Sequence, residues 1–407
     1  MTDISRIWRS ARLRSRAARV AGVTLLTTAA VAGTSLAPAA GAVSRPAHSA
    51  AATAGQLHGV WCASASDCVA VGDRFSAQGG LGEALIERWN GSTWSVVPSP
   101  SPAHFPHSGA ELDGVTCVSA NDCLAVGWYL FSHSQNRELP FSVRWNGSKW
   151  SQVSAPRPTG AFSASLSAVS CASAADCWAS GVSDLGTPPD TITVTEHWNG
   201  SRWAIVPSPS PNPNPQNGSL LAGVACPAAA ECWAVGLMPL RSGTVSLTER
   251  WNGTKWAVVT TPSSTDGQLA AAACATGSDC LAVGNDDSGF ALGQLWNGSK
   301  WLAEKPVRPG GVTRSALEAV SCPGPACVAV GNDVTAGRPV VSLAEGWTGT
   351  KWTVQPTPHP SGAKFTFLHG VSCASDSNCW AAGEWGSPTG PRTLIEHWNG
   401  SAWSITA

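Results

Sequence analysis

Short apolar segments alternate with brief polar gaps along almost the whole chain. In one example the apolar segment Leu112–Cys117 is followed by the mainly polar residues 118–122 and then by the apolar segment Cys123–Gly127. Segments of this length and composition are typical of β-strands. Because only five residues separate them, the two strands are expected to form an antiparallel hairpin.

A second hairpin is predicted further along the same stretch. Residues 84–89 and 94–97 are strand-like, and Asn90-Gly91 lies between them. Asn-Gly is the strongest short-range signal for a tight hairpin turn. The turn recurs at Asn146, Asn199, Asn252, Asn297 and Asn399, and Thr348-Gly349 is its one variant. Each such unit therefore contains four predicted strands.

The four-stranded unit is repeated seven times. Each copy contains Leu-x-(Gly/Ala)-x-x-Cys, then Cys-x-Ala-x-Gly, then Trp-x-Gly-x-x-Trp, and the first cysteines recur every 48 to 55 residues. This period is close to that of a four-stranded propeller blade. Proline-rich stretches such as 98–102 and 207–215 connect the units. The predicted fold is all-β, a seven-bladed β-propeller over residues 57–407 with four antiparallel strands per blade.

The first 42 residues have the pattern of an export signal. Six arginines precede a stretch of small and apolar residues, and Ala40-Gly41-Ala42 fits the small-residue cleavage rule. We expect a signal peptide over 1–42, a flexible lead-in over 43–56 and a secreted, extracellular product. No later segment approaches the roughly 20 apolar residues of a membrane-spanning helix, so membrane insertion is not expected.

Charge and cysteine content agree with this location. Loss of the leader removes six of 25 basic residues and one of 26 acidic residues, which leaves 19 against 25 and a net charge of minus six. This sign argues against nucleic acid as a partner. Outside the cytosol, an even number of regularly paired cysteines is typical of disulfides. We predict one disulfide in the first hairpin of each unit: Cys62–Cys68, Cys117–Cys123, Cys171–Cys177, Cys226–Cys232, Cys274–Cys280, Cys322–Cys327 and Cys373–Cys379.

The unit resembles the repeat of Kelch and galactose-oxidase propellers over residues 57–407. Cys68–Gly72 and Trp89–Trp94 stand where that family has a strand ending in glycine and an aromatic residue, a turn and a tryptophan. The chain departs from the family in three features. It has one glycine where the family usually has two, a tryptophan as the first aromatic residue, and a pair of cysteines in each unit. In these features it is more similar to the cysteine-clasped repeats of uncharacterised secreted actinobacterial proteins. Such a resemblance implies a fold and a compartment, not an activity.

This chain has few of the catalytic residues that enzymes with such propellers use. Galactose oxidase uses several tyrosines and a tyrosine linked to cysteine, whereas Tyr129 is the one tyrosine in this chain. Sialidases use a tyrosine nucleophile and three arginines, but Arg88, Arg144 and Arg250 recur beside turn tryptophans, where a structural role is expected. We assign no catalytic residue, no metal site and no cofactor from the sequence, and we expect a monomer.

One column of the repeat varies in chemistry while its neighbours stay apolar or small. It is the residue four before the first cysteine, and it is occupied in order by His58, Asp113, Ser167, Ala222, Ala270, Glu318 and His369. If the ring closes, Glu318, His369, His58 and Asp113 come from consecutive blades and face one another on one side of the central channel. Imidazole and carboxylate groups there suit a divalent metal or a sugar. Solvated side chains, or a first strand rotated away from the channel, are the alternatives.

A second departure from the repeat is aromatic. Trp128, Tyr129 and Phe131 follow Gly127 in a predicted loop, where other units carry mainly polar residues. Exposed aromatic rings stack on sugars or anchor a protein partner. The alternative is that these rings cap the edge of the blade as part of its core.

These observations favour a non-catalytic binding or structural propeller. We expect it to recognise a cell-envelope polysaccharide or another extracellular protein through the loops of one rim. The alternative is a carbohydrate-active hydrolase or lyase at the channel mouth, with Asp113 and Glu318 as its carboxylates. Two carboxylates within about 10 Å over a cleft would favour the enzyme.

Overall fold

The structure is a computed structural model that describes residues 52–75, 82–100, 102, 109–132, 137–186, 191–211, 218–240, 243–262 and 266–406. The predicted signal peptide and the lead-in up to residue 51 lie outside these ranges. The described chain forms 28 strands in seven four-stranded antiparallel sheets and contains no helix, so the predicted fold class is confirmed. In these same ranges, no helix long and apolar enough to cross a membrane is found.

The strands of the first four blades follow one another in chain order. Blade one contains β1 (Gly55–Ser64), β2 (Asp67–Arg74), β3 (Glu83–Trp89) and β4 (Trp94–Val97). Blade two contains β5 (Ala110–Ser119), β6 (Asp122–Ser132), β7 (Arg137–Trp145) and β8 (Trp150–Val153). Blade three contains β9 (Ser163–Ser173), β10 (Asp176–Asp184), β11 (Thr191–Trp198) and β12 (Trp203–Val206). Blade four contains β13 (Leu220–Ala228), β14 (Glu231–Leu240), β15 (Gly243–Trp251) and β16 (Trp256–Val258).

The last three blades repeat the same order. Blade five contains β17 (Gly267–Thr276), β18 (Asp279–Asp286), β19 (Ala291–Trp296) and β20 (Trp301–Glu304). Blade six contains β21 (Val312–Ser321), β22 (Cys327–Thr335), β23 (Val341–Trp347) and β24 (Trp352–Val354). Blade seven contains β25 (Thr366–Ser375), β26 (Asn378–Ser387), β27 (Gly390–Trp398) and β28 (Trp403–Ile405).

The two edges of the ring differ because every sheet runs up and down in the same order. In blade one the cysteine hairpin and the Asn-Gly turn lie together, and the indole N–H of Trp89 donates to the carbonyl of Ala65 at 3.0 Å. We call this edge the clasp rim. The opposite edge, where β1 begins at Gly55 and β2 ends at Arg74, is called the loop rim. The β2–β3 connections and the links between blades start and finish there.

The first strands surround the axis of the ring. Each one contacts the first strands of both neighbouring blades, as β1 contacts β5 and β25. This close approach needs small residues. A Cβ atom on Gly370 would lie 2.9 Å from the carbonyl oxygen of His58, and one on Gly114 would lie 3.1 Å from the Cα atom of Ala168. The Gly/Ala position of the repeat motif is therefore where neighbouring blades meet backbone to backbone.

Tryptophans fill the space between the blades. The second tryptophan of each Asn-Gly or Thr-Gly turn is only 3 to 7% exposed, and the seven are Trp94, Trp150, Trp203, Trp256, Trp301, Trp352 and Trp403. Apolar residues of two adjacent blades share each core cluster, for example Val71 of blade one with Leu112 of blade two. Burial of this apolar surface holds the blades together.

The ring closes between blade seven and blade one. The ring of Trp380 in β26 packs edge-on against Trp94, with ring centroids 5.4 Å apart. The segment before β1 also takes part, because the backbone N–H of Thr393 donates to the carbonyl of Thr53 at 2.9 Å. The ring therefore closes by direct packing of the end blades together with a contribution from the chain that precedes β1, from residue 52 onwards.

All seven predicted disulfides are present, one per blade, and no cysteine is free. Their Cα atoms are 3.9 to 4.2 Å apart. Cys62 and Cys68 are directly opposite each other in the β1–β2 ladder. The bridge therefore joins two strands at the clasp rim, at the end of the hairpin that the spacing predicted.

Candidate functional site

A β-bulge marks the chemically variable column in every first strand. In blade one the pairing with β2 passes from Leu57 to Gly59 and skips His58. The equivalent residues Asp113, Ser167, Ala222, Ala270, Glu318 and His369 are skipped in the same way. A bulge redirects a side chain away from the regular alternation of the sheet. Leu57 is fully buried in the blade core, whereas the bulged His58 is half-buried.

Three ionisable side chains converge near the loop rim in blades one and two. The Nε2 atom of His58 lies 3.1 Å from Oε1 of Glu111 and 3.4 Å from Oδ1 of Asp73. The Asp73 carboxylate also accepts a 2.7 Å hydrogen bond from Nε2 of Gln56. Asp73 and Glu111 are 5% and 8% exposed. We call His58, Asp73 and Glu111 the histidine cluster.

The electrostatics of the histidine cluster are dominated by its carboxylates. Burial alone would lower the pKa of His58, but Glu111, Asp73 and Asp113 outweigh it and raise that pKa from 6.5 to about 9. Burial raises the pKa of Asp73, and the like charge of Glu111 adds to the rise. The site therefore favours positive charge on the imidazole of His58, whereas burial and the charge of Glu111 disfavour negative charge on Asp73.

The neighbouring blade adds a row of rings to the cluster. The His369 ring lies 5.7 Å from the His58 ring between centroids. Phe367 stacks on His369 at 5.8 Å with an interplanar angle of 15°, and Phe365 follows at 5.4 Å from Phe367. All three blade-seven rings are half-buried. We call Phe365, Phe367 and His369 the aromatic row. It begins at the residue before β25 and continues within that strand to the histidine cluster.

The structure brings His58 close to two of the other bulge residues that the sequence singled out. His58 lies beside His369, and the charge of Asp113 acts on His58. Glu318 occupies the same bulge one blade further, in β21, where burial raises the pKa of its carboxyl. The carboxylates that lie within 3.4 Å of the His58 imidazole are those of Asp73 and Glu111, neither of which the sequence singled out.

The predicted aromatic loop of blade two is part of a strand. β6 extends to Ser132, so Trp128, Tyr129 and Phe131 lie within the sheet, and the expected loop placement is wrong. Trp128 is 2% exposed, so its ring is not available at the surface. Tyr129 is half-buried and meets Phe141 edge-on at 6.3 Å. Phe131 is 37% exposed, and the Arg137 guanidinium lies 5.4 Å from its ring centroid.

The recurring arginines have structural partners on the clasp rim. Arg144 pairs with Asp122 at 2.9 Å, and its guanidinium lies 5.5 Å from the ring of Trp198 in the next blade. Arg88 likewise pairs with Asp67 and covers the ring of Trp145. These contacts join neighbouring blades. They do not form the converging arginine group of a sialidase.

Sequence reasoning missed Asp73, Glu111, Phe365 and Phe367. A signal for Asp73 exists in the column after the glycine of Cys-x-Ala-x-Gly, which holds Asp73, Trp128, Val182, Leu237, Asn285, Asn332 and Glu384. The column of Glu111, six residues before the first cysteine, is equally varied. The same search for departures from the repeat, applied to these columns, would have found both carboxylates.

Comparison with known proteins identifies the fold and no family. No protein-family model matches the chain, and no curated protein matches it. The β-propeller domain of Cps50 (Swd1) from Myceliophteria thermophila is similar, with a TM-score of 0.51 and 9% identity over 84% of this chain and 96% of that one. YCF48 bound to a D1 peptide has a TM-score of 0.49 and 11% identity over 85% and 92%. The six-bladed lectin of Aleuria aurantia has a TM-score of 0.44 and 12% identity over 87% and 95%.

Proposed function

We propose that this protein is a secreted binding propeller that holds an extracellular polysaccharide, such as one of the cell envelope, at the loop rim around the channel mouth. The observation that carries the proposal is the uneven distribution of bulge residues. Blades six, seven, one and two carry Glu318, His369, His58 and Asp113 at the bulge, whereas blades three, four and five carry only Ser167, Ala222 and Ala270. A propeller that served only as a scaffold would not need to concentrate ionisable groups in four adjacent blades, since burying them costs free energy.

The aromatic row supports a sugar ligand in particular. Phe365, just before β25, and Phe367 and His369 within it present half-buried rings one after another. Aromatic faces stack on the apolar faces of sugar rings, and the carboxylates of the histidine cluster accept hydrogen bonds from hydroxyl groups. A linear glycan would meet the rings first and the polar groups next. Phe131 and Tyr129 of blade two would extend the surface on the other side of the cluster.

A second candidate function is glycan cleavage, and one observation favours it. The ligand oxygens of Asp73 and Glu111 lie within 4.8 Å of each other, close to the separation of about 5 Å between the carboxyl groups of retaining glycosidases. Both carboxylates, however, are at least nine-tenths buried and contact the same imidazole nitrogen. This pairing supports a structural and ligand-positioning role over an acid–base pair.

A polysaccharide pull-down separates the two functions. The oxidised chain over residues 43–407 is incubated with insoluble cell-wall and plant polysaccharides, and both bound protein and released sugar are measured. We expect retention without release. Phe367→Ala should reduce retention about tenfold, as loss of one stacking contact implies, while Val258→Ala, which changes a side chain 48% exposed on the outer strand β16, should not. Release of sugar would identify a hydrolase or lyase, and no retention on any polysaccharide would point to a protein ligand.

A further inference from the structure

The histidine cluster gathers two carboxyl groups around one imidazole in a largely buried place. Asp73 and Glu111 are 5% and 8% exposed, and both approach Nε2 of His58. Buried carboxylates are typically paired with a charge of opposite sign or coordinate a metal ion. A divalent cation between these three side chains would contact both carboxylates at once.

The spacing of the three groups matches a metal coordination shell. Zinc with bonds of about 2.05 Å in tetrahedral geometry has neighbouring ligand atoms about 3.3 Å apart. The distances from Nε2 of His58 to Oε1 of Glu111 and to Oδ1 of Asp73 are 3.1 and 3.4 Å. All three ligand atoms lie within 4.8 Å of one another. Little side-chain movement is therefore needed for them to meet at one ion.

A neighbouring side chain also holds one ligand in place. Nε2 of Gln56 donates to the Asp73 carboxylate at 2.7 Å, and Gln56 is only 8% exposed. Such a hydrogen bond orients a ligating carboxylate in the way that outer-shell groups do in metal sites. The arrangement comes from two blades, with His58 and Asp73 on β1 and β2 and Glu111 on β5. An ion there would join the blades at the channel mouth.

We propose that His58, Asp73 and Glu111 bind one divalent transition-metal ion, with Zn²⁺ as the preferred ion. One imidazole nitrogen with carboxylate oxygens suits Zn²⁺ and its first-row neighbours better than Ca²⁺ or Mg²⁺, which prefer oxygen ligands alone. Three protein ligands leave one coordination position of Zn²⁺ for a water or a ligand hydroxyl. This inference stands on the cluster alone and does not depend on polysaccharide binding.

The test measures Zn²⁺ binding by the purified, untagged and oxidised chain after removal of metals with a chelator. We expect one ion per chain by titration calorimetry and elemental analysis. At a hundredfold excess over the dissociation constant, Tm should rise by about 4 °C. Asp73→Asn and Glu111→Gln should each lower the affinity at least tenfold. Circular dichroism without metal checks that the variants are folded. If the variants do not fold, anomalous diffraction at the zinc edge locates the ion in the wild-type chain.

A matched control is available on the clasp rim. His197 and Asp176 also form a histidine–carboxylate pair, at 2.8 Å, but they are not among the three-ligand groups found in the described residues. His197→Gln should therefore leave Zn²⁺ binding unchanged. The proposal would be overturned by a wild-type chain that does not bind Zn²⁺, by binding that survives both cluster variants, or by an anomalous peak elsewhere. Binding of Ca²⁺ without Zn²⁺ would overturn the assignment of a transition metal.

Discussion

The Nε2 atom of His58 lies 3.1 Å from Oε1 of Glu111, across the boundary between blades one and two. Apolar clusters also join neighbouring blades, as in the shared cluster of Val71 and Leu112. This polar contact lies instead at the channel mouth, beside the aromatic row. Because this contact is charged and lies beside the aromatic row, we place it at the centre of the proposed binding surface.

Loss of the imidazole should destabilise the ring. In His58→Ala the buried carboxylates of Asp73 and Glu111 would face each other without the group that both contact. Removing one partner from a buried charged group costs about 3 to 5 kcal/mol, and part of this is recovered by protonation of a carboxyl. We expect a loss of about 2 to 4 kcal/mol in the free energy of unfolding, measured by urea denaturation in chelator. His197→Ala, at a pair whose side chains are 31% and 19% exposed, should cost about 1 kcal/mol or less, and an equal loss in both variants would contradict the special role of His58.

Stability should fall as pH rises from 5 to 9 because of glutamates buried between the blades. Glu196, Glu249 and Glu396 lie two residues before the turn tryptophan of their blades, and burial raises the pKa of each from 4.5 to about 8. Between these values the folded chain keeps protons that the unfolded chain releases, so the free energy of unfolding decreases with rising pH. The stabilisation is fully present below about pH 4.5 and is lost as pH passes through 8. We expect Tm at pH 9 to be at least about 5 °C below Tm at pH 5.

A glutamine variant tests the source of this pH dependence. Blade five already carries Gln294 in the same place, fully buried and donating to Ser246 at 3.2 Å. Glu249→Gln should therefore fold and show a shallower fall of Tm between pH 5 and 9. Glu83→Gln, at a side chain that is 52% exposed, is the control and should keep the wild-type slope. An unchanged slope in Glu249→Gln would show that other groups titrate.

Removal of one disulfide should weaken the protein without abolishing the fold. Cys226 and Cys232 close a loop with a sequence separation of six residues, for which the chain-entropy model gives about 2 kcal/mol. The double variant Cys226→Ser/Cys232→Ser should lose that amount in chemical denaturation while keeping its β-sheet circular dichroism spectrum. Reduction of all seven bridges should have a far larger effect, and a stable fully reduced protein would contradict the importance of the clasps.

The glycine of Cys-x-Ala-x-Gly should be required in every blade. A Cβ atom on Gly236 would overlap the carbonyl oxygen of Leu220 in the neighbouring strand. Because the clash is with backbone, relief requires movement of β13 near its bulge. Gly236→Ala should therefore cost about 2 kcal/mol or more, whereas Gly310→Ala, with nothing within 4 Å, should be nearly neutral. Equal unfolding midpoints for the two variants would count against this packing.

Repetition explains why the fold was predictable from sequence. Each unit contains the same cysteine spacing, the same kind of turn and the same pair of tryptophans. Strand order and disulfide pairing can therefore be predicted without knowledge of long-range contacts. The proximity of His58 and His369 could also be predicted, because equivalent positions of neighbouring blades lie next to each other in a closed ring. The bulge that directs these side chains was not predicted, since nothing in a single strand shows which residue the ladder skips.

The rest of the candidate site depends on strand length and side-chain reach. Trp128 lies in the core because β6 continues past Gly127. The sequence of this segment is compatible both with a longer strand and with an exposed aromatic loop, so it did not predict this placement. Glu111 contacts His58 across a blade boundary because its side chain is long. Its column holds glutamine, serine, leucine, alanine and phenylalanine elsewhere. Such contacts are set by the packing of two blades, which no local pattern specifies.

The most direct test of a binding surface at the loop rim is hydrogen–deuterium exchange with and without a soluble fragment of the polysaccharide that retains the protein. We expect slower exchange where β1 and β25 begin and where β2 ends, in the segments that carry His58, Phe367 and Asp73. The Asn-Gly turns of the clasp rim should exchange at unchanged rates. Protection confined to those turns, or spread evenly over all seven blades, would contradict a binding site at the channel mouth.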